Sequence, residues 1–362
     1  MNIPDLISLF TLSMTDPTSR LVSASPVDKI AQALGGEPPQ ADPDMQAVLD
    51  ALESLGGKPI EELSPEEARR QPTPTDAVMK LLREQGKPTD PEPVGKVQEI
   101  TIPGGPVGDI PAQVFSPRGL GPFPVIVYFH GGGFVIADTK VYEASIRALV
   151  NQAGAIVVSV DYHHAPEHPY PSQTREAYTA YLWTLNHAQE INGDPQRVAV
   201  AGESAGGNLA AVISLMARDQ GQQMPAHALL VYPLVNNNML NVSYRLNANA
   251  KPLNAAMMKW FFKYYSTLPE SFDAYALPAK ADTLKGFPPT TIITAEIDPL
   301  QEEGRDFAER LRKEGVPVMH RDYAGVTHEF FGMSAVLAKA RDAQAFAAGE
   351  LKKAFGLPTS IH

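Results

Sequence analysis

The chain has 362 residues, 44% of them hydrophobic, a formal net charge of −11 and no cysteine. That length permits one large domain or two medium ones, with ample apolar material for a core. The acidic balance argues against a nucleic-acid partner, and the missing cysteine excludes disulfides, zinc–thiolate sites and a thiol nucleophile.

In chain order, the first fourteen residues are only weakly apolar, are interrupted by Pro4 and Asp5 and lack a basic start. They do not read as a signal peptide. No apolar run reaches the roughly 20 residues that span a bilayer. A cytoplasmic protein is expected, or a periplasmic or secreted one whose leader has been removed. Residues 358–362 read as a disordered tail. Residues 1 to about 90 are rich in Pro, Asp, Glu and Gln. Met45, Val48, Leu49, Leu52 and Leu55 fall on one helical face, stopped by Gly56-Gly57. Ser64-Pro65-Glu66-Glu67 reads as a capping box, and Asp76–Gln85 as a short amphipathic helix ended by Gly86. Such helices suit either an extension packed on a main domain or a lid.

From Val97 the texture changes. Val97–Ile102 and Ile110–Phe115 read as an antiparallel pair around Gly104-Gly105-Pro106. Pro124–Phe129, Ala155–Val160, Arg197–Ala201, Ala228–Tyr232, Thr290–Ala295 and Val318–Tyr323 read as strands, most of them continuous apolar runs as in sheets buried on both faces. Helices are expected at Tyr142–Gln152, Gln173–His187, Ala205–Arg218, Gln301–Glu314 and from about Asp342 to Phe355. This alternation predicts an α/β fold with a mostly parallel sheet of about eight strands and helices on both faces. Residues 236–285 break the rhythm. There Met257, Met258, Trp260, Phe261, Phe262, Tyr264 and Tyr265 crowd one helix, which is either an ordinary buried helix or the lining of an apolar pocket.

Four places carry candidate chemistry. Gly202-Glu203-Ser204-Ala205-Gly206 lies between a strand and a helix, so Ser204 would sit on a sharp turn whose flanking glycines let the two elements approach. His130-Gly131-Gly132-Gly133-Phe134 follows a strand, and its unshielded backbone N–H groups could hold an oxyanion or a phosphate. The phosphate-loop reading fails, because no Lys-Ser/Thr pair follows. Asp298 follows strand Thr290–Ala295, and His328 follows strand Val318–Tyr323. Singly, Asp298 also reads as a helix cap before Pro299 and His328 as a loop histidine. Together with Ser204, in this order and at strand ends, they read as nucleophile, acid and base. Glu296 is a weaker alternative acid. The cluster His163, His164 and His168 lacks the further ligands a metal would need.

These pieces together resemble the bacterial hormone-sensitive lipase-like esterases of the α/β-hydrolase superfamily. The resemblance covers residues 95–355. It rests on H-G-G-G-F at 130–134, D-Y-x-x-A-P-E-H-P-Y-P at 161–171, G-E-S-A-G-G-N at 202–208, D-P-L at 298–300 and H-E-F-F at 328–331. It implies an α/β-hydrolase fold, a triad of Ser204, His328 and Asp298, and an oxyanion hole from the N–H groups of Gly132, Gly133 and Ala205. It implies an N-terminal extension and cap over 1–95, a catalytic domain over 96–235 and 286–357, and an inserted cap segment over 236–285. Phe134, Trp260 and Phe261 are the expected substrate contacts. The sequence departs from the family pattern at Glu203, where Asp or Thr is frequent, at His163-His164, where Arg-Leu is usual, and at Glu329, where Gly is usual. The expected reaction is hydrolysis of short- to medium-chain or aryl esters, without metal or cofactor. The alternatives are amide or lactone cleavage by the same triad, or non-catalytic binding of a small molecule on the same fold. The expected partner is a small-molecule ester, and the C-terminal helix and strand admit a homodimer.

Overall fold

The structure, a computed structural model, describes residues 39–267 and 272–359. The readings of the first fourteen residues and of the end of the tail therefore lie outside the described residues.

The β-branched runs form strands, as their preference for a pleated, packed surface dictates. The strands are β1 (Lys96–Ile102), β2 (Ile110–Ser116), β3 (Phe123–Phe129), β4 (Ile156–Val160), β5 (Gly193–Glu203), β6 (Ala228–Val231), β7 (Thr290–Ile297) and β8 (Val318–Thr327). They make one eight-stranded sheet in the order β1-β2-β4-β3-β5-β6-β7-β8. β2 runs antiparallel to β1 and β4, and every other pair is parallel. The helices are α1 (Pro43–Ser54), α2 (Pro65–Ala68), α3 (Pro74–Glu84), α4 (Glu143–Ala153), α5 (Ser172–His187), α6 (Ala205–Asp219), α7 (Val242–Leu246), α8 (Ala255–Tyr265), α9 (Gln301–Lys313) and α10 (Ala338–Ala354). Parallel neighbours need crossovers, and α4 to α9 lie in them. Among the described residues no helix is long and apolar enough to cross a membrane.

Three boundaries differ by four residues from the sequence reading. β8 runs on to Thr327, not Tyr323. β5 starts at Gly193, not Arg197, because Gly193 already pairs with Phe123 across a bulge. Asp194-Pro195 gives that stretch the look of a turn. α10 starts at Ala338, not Asp342. Ala338, Ala340 and their Lys and Arg neighbours are strong helix formers, and Ala340 is buried.

Side chains alternate across each strand, which divides the core. Val125, Val127 and Phe129 of β3 face a layer containing α5, α6 and α9 together with α8, which lies between β6 and β7. Ile126 and Tyr128 face the opposite layer, built from α4 and α10. The N-terminal region separates along the same line. Met45, Val48, Ala77 and Val78 of α1 and α3 join the α4–α10 layer, while Ala68 joins the other. In the segment between α1 and α3, Leu63 and Glu61 touch α8 and Asn254 before it: Trp260 Nε1 donates to the Leu63 carbonyl at 2.9 Å, and Asn254 Nδ2 to Glu61 at 3.2 Å. Residues 43–84 thus serve two places. The two longer helices buttress the sheet, and residues 236–285 are met by the short stretch between them and by Glu53 of α1, which pairs with Lys251 at 3.5 Å.

Candidate active site

The parallel strands release their loops at one edge, and the candidate residues stand there. Ser204 follows β5 with φ 57° and ψ −118°. A non-glycine residue is strained in that region. What holds it is the tightness of the turn. Its N–H donates to the Val231 carbonyl at 2.9 Å, and its own carbonyl accepts from Asn208 at 3.0 Å. Neither neighbouring glycine is replaceable: a Cβ on Gly202 would run into the Gly206 carbonyl, and one on Gly206 into the Phe129 carbonyl.

His328 reaches Ser204 from the loop after β8. Its Nε2 lies 2.9 Å from Ser204 Oγ, and its Nδ1 lies 2.6 Å from Asp298 Oδ2. All three side chains are buried. Asp298 does not cap the next helix, which starts at Gln301 with Leu300 at its cap position; its second oxygen accepts the Leu300 N–H at 2.9 Å in a turn before that helix. Burial alone would pull the His328 pKa down. The charge and hydrogen bond of Asp298, with Glu329 and Glu203 beyond, outweigh it and hold the imidazole above its ordinary value. Glu296, the other candidate acid, turns away and accepts the Gly325 N–H at 2.7 Å.

The loop after β3 approaches the serine from the other side. Gly132 and Gly133 have φ of 94° and 59°, so both need the freedom of glycine. A Cβ on Gly133 would enter the Phe261 ring. Among the described residues, neither glycine N–H donates to a protein acceptor. Beneath them Tyr162 donates to the His130 carbonyl at 2.8 Å and stacks on the His130 ring at 4.3 Å. Burial drives His130 down to about 4 and His164 to about 3, so both are neutral rings of the packing. His163 bonds Glu176 at 2.7 Å.

A cavity of about 10 Å³ opens on Ser204, lined by Gly133, Phe134, Leu234, Leu253, Met258, Phe261, Phe262 and Tyr265. That is room for about one water. Of the three expected contact residues, Phe134 and Phe261 line this cavity and Trp260 does not. Its indole, bonded to Leu63, turns toward the N-terminal segment and packs edge-on against Phe261 and Tyr264. Residue spacing marks a helix face as buried, and it cannot tell which neighbour that face meets.

Arg69 and three tyrosines at this edge carry no local signal in the sequence. Arg69, just after α2, donates Nε to the Val135 carbonyl at 2.8 Å and Nη2 to the Ala165 carbonyl at 2.9 Å, and grips Glu167 with both Nη atoms. Glu203 is buried behind the serine. Tyr128 donates to one oxygen at 2.6 Å and Tyr232 to the other. Burial, with the Glu329 charge added, pushes the Glu203 carboxyl up to about 7. Tyr142 donates to Glu329 Oε1 at 2.7 Å.

A serine, a histidine and a carboxylate in bonded contact, beside unbonded N–H groups, form a set that can carry out acyl transfer. Comparison with known proteins points the same way. Residues 126–332, more than half of the chain, match an alpha/beta hydrolase fold family. Carboxylesterase NlhH of Mycobacterium tuberculosis is 36% identical over 279 residues, covering 75% of this chain and 87% of that protein. Carboxylic ester hydrolase LipN of the same organism is 37% identical over 244 residues, covering 66% of this chain and 65% of LipN, so the match spans just under two thirds of that relative. Among solved structures, a hyperthermophilic esterase from the archaeon Pyrobaculum calidifontis superposes with a TM-score of 0.78 at 36% identity, over 87% of this chain and 98% of that one.

Proposed function

This chain belongs to the hormone-sensitive lipase-like esterases of the α/β-hydrolase superfamily, and we propose that it hydrolyses carboxylic esters through an acyl-enzyme formed on Ser204. It is a serine hydrolase of the carboxylesterase class. The observation that carries the assignment of roles is the His328 ring, bonded to Ser204 Oγ on one side and to Asp298 on the other.

In the proposed reaction Ser204 Oγ attacks the ester carbonyl while His328 Nε2 takes its proton. Asp298 fixes the ring's tautomer and stabilises the imidazolium. The N–H groups of Gly132, Gly133 and Ala205 hold the tetrahedral oxyanion, with the start of α6 adding its positive dipole end. The C–O bond of the leaving alcohol then breaks, and His328 returns the proton to that oxygen. Water, deprotonated by the same nitrogen, attacks the acyl-enzyme and releases the acid. The apolar, aromatic lining at Phe134 and Phe261 supports short acyl chains or aryl groups, because so small a cavity admits a larger group only if Phe261 or Phe262 moves.

Ser204→Ala tests the reading. Turnover of p-nitrophenyl butyrate should fall by at least about 10⁴ with circular dichroism unchanged, and a fluorophosphonate probe should label the wild type and not the variant. Wild-type turnover in Ser204→Ala would end the assignment.

A further inference from the structure

Glu329 is the least expected residue at the catalytic edge. It directly follows His328 and has φ 72° and ψ 0°, in the left-handed region that glycine occupies freely. The chain therefore tolerates backbone strain to keep a carboxylate here, and such outliers gather where a side chain is used. The carboxylate does not drift into solvent. Tyr142, at the head of α4, donates to its Oε1 at 2.7 Å. The same oxygen stands 3.9 Å from His328 Nε2, the nitrogen that bonds Ser204 Oγ. Tyr142 is itself fixed, because its hydroxyl lies so close under the oxyanion loop that a Cβ on Gly131 would strike it.

Resting on the reaction proposed above, we propose that Glu329 is a positioning residue whose carboxylate, held by Tyr142, supplies His328 with a second counter-charge on the Nε2 side, opposite Asp298. The imidazole would then lie between two anions rather than beside one. When Nε2 takes the Ser204 proton, the positive charge that forms on the ring lies 3.9 Å from a half-buried carboxylate oxygen, an interaction less screened than it would be in open water. The other groups facing His328 are Asp298 just past β7, Glu203 at the end of β5 and the Tyr232 ring at 4.5 Å. Glu203 is already engaged by Tyr128 and Tyr232. Among the described residues no lysine or arginine forms an ion pair with Glu329, so its charge is not cancelled locally. Burial raises the Glu329 carboxyl above its ordinary value, while His328 and the Tyr142 hydroxyl favour the charged form.

The test is the pH profile of kcat/KM on p-nitrophenyl butyrate for wild type, Glu329→Gln and Glu329→Gly, with Ser204→Ala alongside. Removing the charge should shift the acid limb to lower pH by about one unit and lower the plateau above it by about tenfold. Glu329→Gly carries the test if the Gln variant folds poorly. Glycine relaxes the left-handed backbone, so this variant should melt no lower than wild type and still show the shifted limb. A loss of activity with the limb unmoved in both variants would mean a merely structural role and overturn the proposal, as would a shift to higher pH. An unmoved limb with an inert Ser204→Ala defeats this proposal alone. An active Ser204→Ala defeats it together with the triad.

Discussion

Arg69 donates its Nε to the Val135 carbonyl at 2.8 Å, across 66 residues of sequence. The bond ties the segment that supports the inserted helix to the loop that carries Gly132 and Gly133. The same guanidinium holds the Ala165 carbonyl and Glu167. Arg69→Met keeps much of the packing and removes all of these bonds. Because the effect on the oxyanion loop is indirect, kcat should fall by about tenfold, well short of the 10²–10³ loss of a donor itself, with KM nearly unchanged. Steady-state kinetics on p-nitrophenyl butyrate decide it, and an unchanged kcat would mean that the loop holds its shape unaided.

The two glycine environments make opposite predictions. A methyl on Gly206 would collide with the Phe129 carbonyl of the neighbouring strand, and backbone cannot move aside cheaply. Gly206→Ala should lose several kcal/mol and fail to accumulate as folded protein. Gly349 lies inside α10 with nothing within 4 Å of the position a Cβ would take. Gly349→Ala should stabilise by about 0.5–1 kcal/mol, seen as a rise of a degree or more in Tm.

Phe261 closes the cavity and Trp260 does not, although they are adjacent. Phe261→Ala should move the optimum in a p-nitrophenyl ester series toward longer acyl chains and raise kcat/KM on the longest by roughly tenfold, about the value of one or two buried methylenes. Trp260→Phe should leave that series unchanged and lower Tm, since it removes a buried bond to Leu63 worth about 1 kcal/mol. A shifted chain-length optimum in Trp260→Phe would reverse the two roles.

Glu303 is a buried carboxylate away from the reacting atoms. Its Oε1 accepts the N–H groups of Val235 at 2.7 Å and Asn236 at 3.1 Å, while Oε2 is buried without a partner. Burial lifts its carboxyl to about 8 from an ordinary 4.5. Between those values the folded chain holds a proton that the unfolded chain releases, so stability falls as pH rises through this window. Glu303→Gln keeps the acceptor and removes the titration. Its Tm should match wild type near about pH 4.5 and exceed it by several degrees near about pH 8.5. Equal melting temperatures at both ends would show that Glu303 does not take up a proton on folding.

What could be read from sequence here was whatever a residue's own backbone demands. Gly202, Gly206, Gly132 and Gly133 announce themselves because no other residue fits their turns, and the strand ends that carry Asp298 and His328 follow from the alternation of strands and helices. Arg69, Tyr128, Tyr142 and Tyr232 carried no such mark. Their partners lie 29 to 187 residues away in sequence, and a tyrosine or arginine looks alike whether it braces a loop or covers a surface. Trp260 shows the same limit within one helix. The division of α1 and α3 from the stretch between them was equally hidden, because amphipathic helices record that they are covered and not by which layer.

Glu203 joins Tyr128 of β3 to Tyr232 just past β6, while its own backbone ends β5. The residue beside Ser204 therefore rivets three neighbouring strands at the central edge of the sheet. The proposed nucleophile is held in place by the same contacts that hold these strands together. On heating, loss of turnover and loss of secondary structure should then arrive as one event at a single temperature, without a folded but inactive stage before it.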